Sequence, residues 1–370
     1  MPVPGPFPKP IHILGIGNIG KLLAYALKQS RPSAPVTLLF HRPGLRSEWS
    51  AAGQSITYTT PSSPSPQKAT GFDVELVSAR SSAPHGTLPE IDNLIIATKT
   101  YATAAALNLI KPRLSRHGTI LFVQNGWGTA ASARRSVFSG PEWAGLKYWS
   151  AVSTAGVYTP SDGAQSSPRK GGGFSIVHAA RGTLQLGPVH PLCQGENEMI
   201  TRLVEADILN ARVLSHDELQ LAQLRKLMVN AMINPLTVVF NCKNGDLIEK
   251  PGRVALMRRL FDEAVPVLFA LVHPGETEGL EEFATELWEH VWRVAHDVRE
   301  NYSSMYQDVA AGRPTEIDFI NGVFLREGRR RGIETPLNAV LVGLVKRGER
   351  VKDEDIERYF GVGDVRKGKL

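Results

Sequence analysis

A chain of 370 residues, 42% hydrophobic and 21% charged, has the composition of a soluble globular protein and is long enough for two cores rather than one. No apolar run reaches the roughly eighteen residues of a membrane span, and two cysteines without a Cys-x-x-Cys exclude a disulfide framework, which fits a reducing compartment, most simply the cytoplasm. The net charge of +6 is densest at Arg326 to Arg331, where a cationic last helical turn explains it; no RNA-binding aromatic signature, zinc-finger spacing or paired histidine motif is present, so neither a nucleic-acid partner nor a metal is expected.

The proline-rich start, residues 1–10, reads as a flexible tail. "IHILGIG" then reads as a strand, Asn18 to Gln29 as a helix and "VTLLF" as a second strand. Further on come "DNLIIAT" as a strand, "ATAAALNLIKPRL" as a helix and "GTILFVQNG" as a strand. Alternating short apolar strands and amphipathic helices predict an α/β, doubly wound parallel sheet. Two stretches rich in Pro, Ser and Gly, "TPSSPSPQKATG" and "PSDGAQSSPRKGGG", interrupt this pattern and are expected to be surface insertions; strand-like segments resume at "YWSAVSTAGVY", "FSIVHAA" and "TLQLG". From His216 onward every long segment carries helical spacing, which predicts a second, all-α domain. The expected organisation is a dinucleotide-binding domain over 11–215, a helical domain over 216–350 and a loosely packed charged tail over 351–370.

"GIGNIG" sits between the first strand and the first helix, the context in which a G-x-G-x-x-G motif binds a dinucleotide. Its residues Gly15, Ile16, Gly17, Asn18, Ile19 and Gly20 are candidate cofactor contacts, with the helix N-terminus offering N–H groups to phosphate. The second strand ends "FHRPG" and lacks the acidic residue that would accept from NAD ribose hydroxyls. Arg42 stands where a 2′-phosphate would lie, so NADP(H) is preferred to NAD(H). Lys99 and Asn125 follow the next two strands, at ends that line the ligand crevice in such sheets.

In "RKLMVNAMINPLTVVFNCKNG", Lys226, Asn230 and Asn234 recur every four residues and so share one helix face, while the neighbouring residues are apolar. Pro235 lacks an N–H and frees the carbonyl of Ala231, which suggests a bend there toward Asn244. Pro314, Thr315 and Asp318 read as a helix start with Thr315 capping and Glu316 in the first turn, and Ser303 and Ser304 read as the end of the preceding helix. Spacing alone leaves Lys226 and Glu316 open between a surface ion pair and a functional one.

The set "GIGNIG", "NGWG", "KLMVNAMINPLTVVFNCKNG", "NYSSMYQD" and "GRPTEIDFINGVFLREGRRRGI" resembles the ketopantoate reductases, in order, from about residue 11 to about residue 345. That resemblance implies a Rossmann-type domain joined to a helical domain of the 6-phosphogluconate-dehydrogenase type, with the active site in the cleft between. It implies NADPH-dependent reduction of 2-dehydropantoate to (R)-pantoate, in pantothenate and coenzyme A biosynthesis. It implies Lys226 as general acid with Glu316 as its catalytic partner, and Asn125, Asn230, Asn234, Asn244 and Ser304 as substrate contacts. Lys99, Asn125 and Arg42 would join the fingerprint at the cofactor. Where the family often has glutamine three positions after the loop lysine, this chain has Ala102. Two alternatives stay open: a related reductase of another 2-oxo acid, or a non-enzymatic NADP(H)-binding sensor. The implied partner is a small 2-oxo acid; no membrane is expected, and a homodimer stays open.

Overall fold

The computed structural model describes residues 8–77, 88–160, 172–191 and 197–361. The first seven residues of the expected flexible start, the second Ser/Pro/Gly stretch between 161 and 171, and the end of the charged tail from 362 lie outside the described residues. The chain divides into two compact units, one comprising Met1–Gln124 and Gly128–Leu219, the other Asn125–Trp127 with everything from Gln220 onward.

In the first unit the chain runs β1 (Ile11–Leu14), α1 (Asn18–Ser30), β2 (Val36–Phe40), α2 (Gly44–Ala51), β3 (Ile56–Thr60), β4 (Ser63–Ala69), β5 (Asp73–Leu76) and β6 (Ile91–Ile96). It continues through α3 (Thr103–Ile110), β7 (Leu114–Phe122), α4 (Thr129–Ser136), β8 (Lys147–Ser153), β9 (Gly156–Tyr158), β10 (Ser175–Ala180), β11 (Leu184–Pro188), α5 (Glu198–Val204) and β12 (Ala211–Val213). Eight strands form the main sheet in the order β12-β11-β8-β7-β6-β1-β2-β5, parallel except where β11 runs antiparallel to β8. Both faces are covered, as a parallel sheet requires. Ile11, Ile13 and Ile95 enter one apolar cluster, while Leu14, Leu94 and Ile96 enter the other. From β1 the chain steps to β2 on one side and later to β6 on the other, so the strand order reverses at β1.

A second sheet, β4-β3-β10-β9, corrects the reading of "TPSSPSPQKATG" as a surface insertion. Residues 63–69 are its edge strand, with Ile56 opposite Ala69 and Tyr58 opposite Gln67. Proline is tolerated on an edge because one side of the strand needs no donor, so the two prolines that argue against a strand argue only against a central one. Tyr58 of this sheet stacks on Tyr25 of α1 at 4.4 Å between ring centroids, and the Tyr25 hydroxyl donates to Gln67 Oε1 at 2.7 Å.

The helices that build the second unit are α6 (His216–Phe240), α7 (Gly245–Ile248), α8 (Pro251–Val272), α9 (Leu280–Asp297), α10 (Ser304–Ala310), α11 (Asn321–Arg331), α12 (Pro336–Arg347) and α13 (Ile356–Phe360). One apolar cluster gathers Met228, Met232, Leu260, Phe261, Phe324 and Leu341 among others. The basic run ends α11, where Glu327 pairs with both Arg330 (2.8 Å) and Arg331 (2.7 Å). Residues 351–361 are not the loose tail that their charge suggested. Asp353 pairs with Arg253 at 2.6 Å and Lys250 at 2.7 Å, and Phe360 is fully buried. Charged residues on one face of this segment bind the surface of α8 while Ile356 and Phe360 enter the core.

Candidate active site

In the first unit the sequence "GIGNIG" forms the turn from β1 into α1. Gly15 has φ of +102°, and a side chain there would strike the Ala97 carbonyl and Thr98 amide of the loop after β6. Gly20 seats α1 against the Gly15 carbonyl. At Gly17 the opposite holds, since an added Cβ would meet nothing within 4 Å. A tight turn, close helix–strand packing and an open backbone at the middle glycine are what a diphosphate needs, so these residues fit a dinucleotide. Ile16 and Ile19 pack their side chains on the core, which leaves their backbone N–H groups as what they can offer.

The same approach of Gly15 to Thr98 puts the loop carrying Lys99 beside the fingerprint, at the point where the strand order reverses. Gln124, at the end of β7, holds that loop: its Nε2 donates to the Thr98 carbonyl at 2.9 Å, to Thr98 Oγ1 at 3.0 Å and to Thr103 Oγ1. Sequence reading passed over Gln124, because only the sheet brings residues 98 and 124 together. Arg42 follows β2, is exposed, and pairs with Glu48 at 2.8 Å. That exposed pair is weak enough to exchange for a phosphate.

In the second unit, Lys226, Asn230 and Asn234 lie along α6 with Lys226 and Asn230 half-buried and Asn234 buried. Burial lowers the Lys226 ammonium to about 8, against the charge of Glu316, which favours the protonated form. Glu316 is 5% exposed and immediately precedes a 3-10 turn, Ile317–Phe319. This corrects the expected helix start: Thr315 does not cap, and α11 begins only at Asn321. Glu316 is therefore a buried residue ahead of a 3-10 turn, close enough for its charge to act on Lys226, and not part of the first turn of an α-helix.

α6 also continues through Pro235 to Phe240, so the turn toward Asn244 is made later than expected. Asn241, with φ of +51°, ends the helix; the amide of Cys242 donates to Thr237 O at 3.1 Å and that of Asn241 to Val238 O at 3.3 Å, the paired bonds of a left-handed C-terminal cap. The Ala231 carbonyl freed by Pro235 accepts from Asn321 Nδ2 at 3.2 Å. Asn321 Nδ2 also donates to Asn338 Oδ1 at 3.1 Å, and Asn338 donates to Leu260 O and Glu263, both at 3.1 Å. Asn321 and Asn338 are fully buried, so this network satisfies the carbonyl that proline exposed and ties α6 to the segment bearing Glu316.

Asn125 belongs to a loop seated on the turn after Glu316: Trp127 N donates to Phe319 O at 3.3 Å, and Gly126, with φ of +92°, lies too close to Phe319 for any side chain. Ser304 opens α10 and is exposed. Its neighbour Ser303 is the buried cap, accepting from Tyr306 N at 3.0 Å and sharing a 2.6 Å bond with Thr237 of α6. Both serines thus stand at a helix start rather than an end. Asn244 is only 4% exposed and donates through Nδ2 to Val298 O at 3.0 Å, so its place is in the packing of α7 on the end of α9. Among the described residues no cluster of metal-ligating side chains occurs, and no helix is long and apolar enough to cross a membrane.

Two family models match the chain: ketopantoate reductase PanE/ApbA over residues 11–191, and its C-terminal counterpart over 218–349. The chain belongs to the ketopantoate reductase family. The 2-dehydropantoate 2-reductase of Vibrio cholerae is 34% identical over 263 residues, covering 70% of this chain and 78% of the relative. The ketoisovalerate reductase BEA2 of Gibberella fujikuroi is 27% identical across 94% of this chain and 85% of its own. The crystal structure of 2-dehydropantoate 2-reductase from Geobacter metallireducens superimposes with a TM-score of 0.71 over 92% of this chain and 99% of that one; at 20% identity it speaks for the fold alone. With membership of the ketopantoate reductase family come oxidoreductase activity on CH–OH groups and the NADP(H) cofactor.

Proposed function

We propose that this chain reduces 2-dehydropantoate to pantoate with NADPH, serving pantothenate and coenzyme A biosynthesis in the cytoplasm. The observation that carries the reading is the α6 face that presents Lys226, Asn230 and Asn234 together, with the lysine half-buried and the charge of the buried Glu316 acting on it. NADPH, when bound, supplies the hydride that goes to the C2 ketone. Negative charge then develops on the ketone oxygen, and the Lys226 ammonium hydrogen-bonds that oxygen and protonates it. Glu316 keeps the lysine charged near neutral pH by opposing the effect of burial. The amides of Asn230 and Asn234 and the exposed Ser304 hydroxyl orient the substrate's carboxylate and hydroxyl oxygens. Asn244 gives its Nδ2 to Val298 O, and its buried Oδ1 has no partner among the described residues. Arg42 would exchange Glu48 for the 2′-phosphate, favouring NADPH over NADH.

The relation to a ketoisovalerate reductase, which spans nearly the whole chain, supports a second substrate reading. The two 2-oxo acids differ by a hydroxymethyl group. A site built to hydrogen-bond a substrate hydroxyl rejects the analogue lacking it by about 10⁴-fold. Following NADPH absorbance with each acid in turn separates them. A large preference for 2-dehydropantoate upholds the first reading, equal or reversed rates uphold the second, and no oxidation with either removes both.

A further inference from the structure

Lys21 stands one turn into α1, where a cation is ordinarily unwelcome. The helix N-terminus is the positive end of the helix dipole, and the first turn of α1 carries no acidic residue to offset it. Lys21 is nonetheless 3% exposed. A buried ammonium persists only where hydrogen bonds replace its water. Its Nζ donates to Thr159 Oγ1 at 3.1 Å, to Gly173 O at 3.0 Å and to Ser175 O at 3.4 Å, all neutral acceptors. Thr159 in turn donates through its hydroxyl to Asn18 Oδ1 at 2.7 Å, and Asn18 Nδ2 donates to Val157 O at 3.3 Å. Asn18 is the first residue of α1, directly after Gly17. The relay therefore pins the first turn of α1, at both its first and fourth residues, to the segments that lead out of β9 and into β10.

A local rule broken in this way, with positive charge built behind a helix start whose first turn has no acidic residue and with only neutral oxygens accepting from the ammonium among the described residues, points to a function for the charge. We propose that Lys21, acting through Thr159 and Asn18, is a positioning residue for the dinucleotide. The clamp fixes the turn whose backbone N–H groups receive the diphosphate, and the ammonium adds a fixed positive charge behind it. The inference rests on the NADP(H) cofactor that family membership brings and does not depend on which 2-oxo acid is reduced.

The test is calorimetric NADP⁺ binding to the full chain, with the Tm of the cofactor-free protein and steady-state kinetics measured alongside. Lys21→Met, which removes the charge and the clamp, is expected to weaken NADP⁺ binding about tenfold and to raise the KM for NADPH while kcat stays within about twofold. Thr159→Val removes only the middle of the relay and is expected to weaken binding about threefold. It also decides the matter if Lys21→Met does not fold. A lower Tm with unchanged NADP⁺ affinity would make these residues supports of the fold alone and overturn the proposal. So would a fall in kcat with the affinity intact.

Discussion

Each unit holds a lysine that desolvation brings to about 8, yet their surroundings differ in kind. Lys21 is locked by three neutral oxygens and has desolvation as the one cause of its lowered value. Lys226 is half-buried and has the carboxylate of Glu316 opposing desolvation. The same pKa therefore does not mean the same work. A cation held by two carbonyls and a hydroxyl is fixed in place, suited to positioning the turn that receives an anionic cofactor. A half-buried cation beside a carboxylate can give up its proton and regain it, as a general acid must. On the proposed reading the first unit holds the cofactor with backbone and a positioned ammonium, and the second performs the proton chemistry, so lesions in the two should separate kinetically.

The hardest trial of that separation is Lys226→Ala. Turnover should fall about 10²- to 10⁴-fold, with calorimetric NADP⁺ affinity unchanged; an equal loss of affinity would erase the distinction. Activity of the unaltered enzyme should decline as pH rises through about 8, because the protonated lysine is the proposed acid and its value lies there. Since Glu316 raises that value, Glu316→Gln should move the decline to lower pH; a limb that stays in place would show that the carboxylate does not act on Lys226. On the cofactor side, Arg42→Ala should raise the KM for NADPH about 10- to 100-fold and leave that for NADH as it was. Replacing Asn321 by leucine strips the Ala231 carbonyl of its donor and Asn338 of its partner. We expect a loss of about 1–3 kcal/mol in urea unfolding of the helical unit, with cofactor binding intact. The smallest effect expected is from Glu48→Gln, which frees Arg42 from an exposed pair and should lower the KM for NADPH about twofold.

What the sequence determined by itself is what local rules govern. A strand, three spaced glycines and a helix can be read as a nucleotide turn because each glycine answers a steric demand made within a few residues. The shared face of Lys226, Asn230 and Asn234 follows from helical period alone, and α6 does carry all three. Its apolar neighbours announced burial as well. Local rules failed where a remote partner decides. Two prolines hid β4, because whether a strand lies at an edge is known only once the sheet is assembled. Thr315 and Asp318 looked like a cap, but the Lys226-bearing helix and the Asn321 network set where α11 begins. The break that Pro235 threatened in α6 is repaired from a residue 90 positions away. The Lys21 relay spans 138 positions and more, and the charges that suggested a loose tail bind α8 instead. Hydrogen bonds between residues so distant leave no periodic trace in the chain, since their geometry exists only when packing has set the elements side by side.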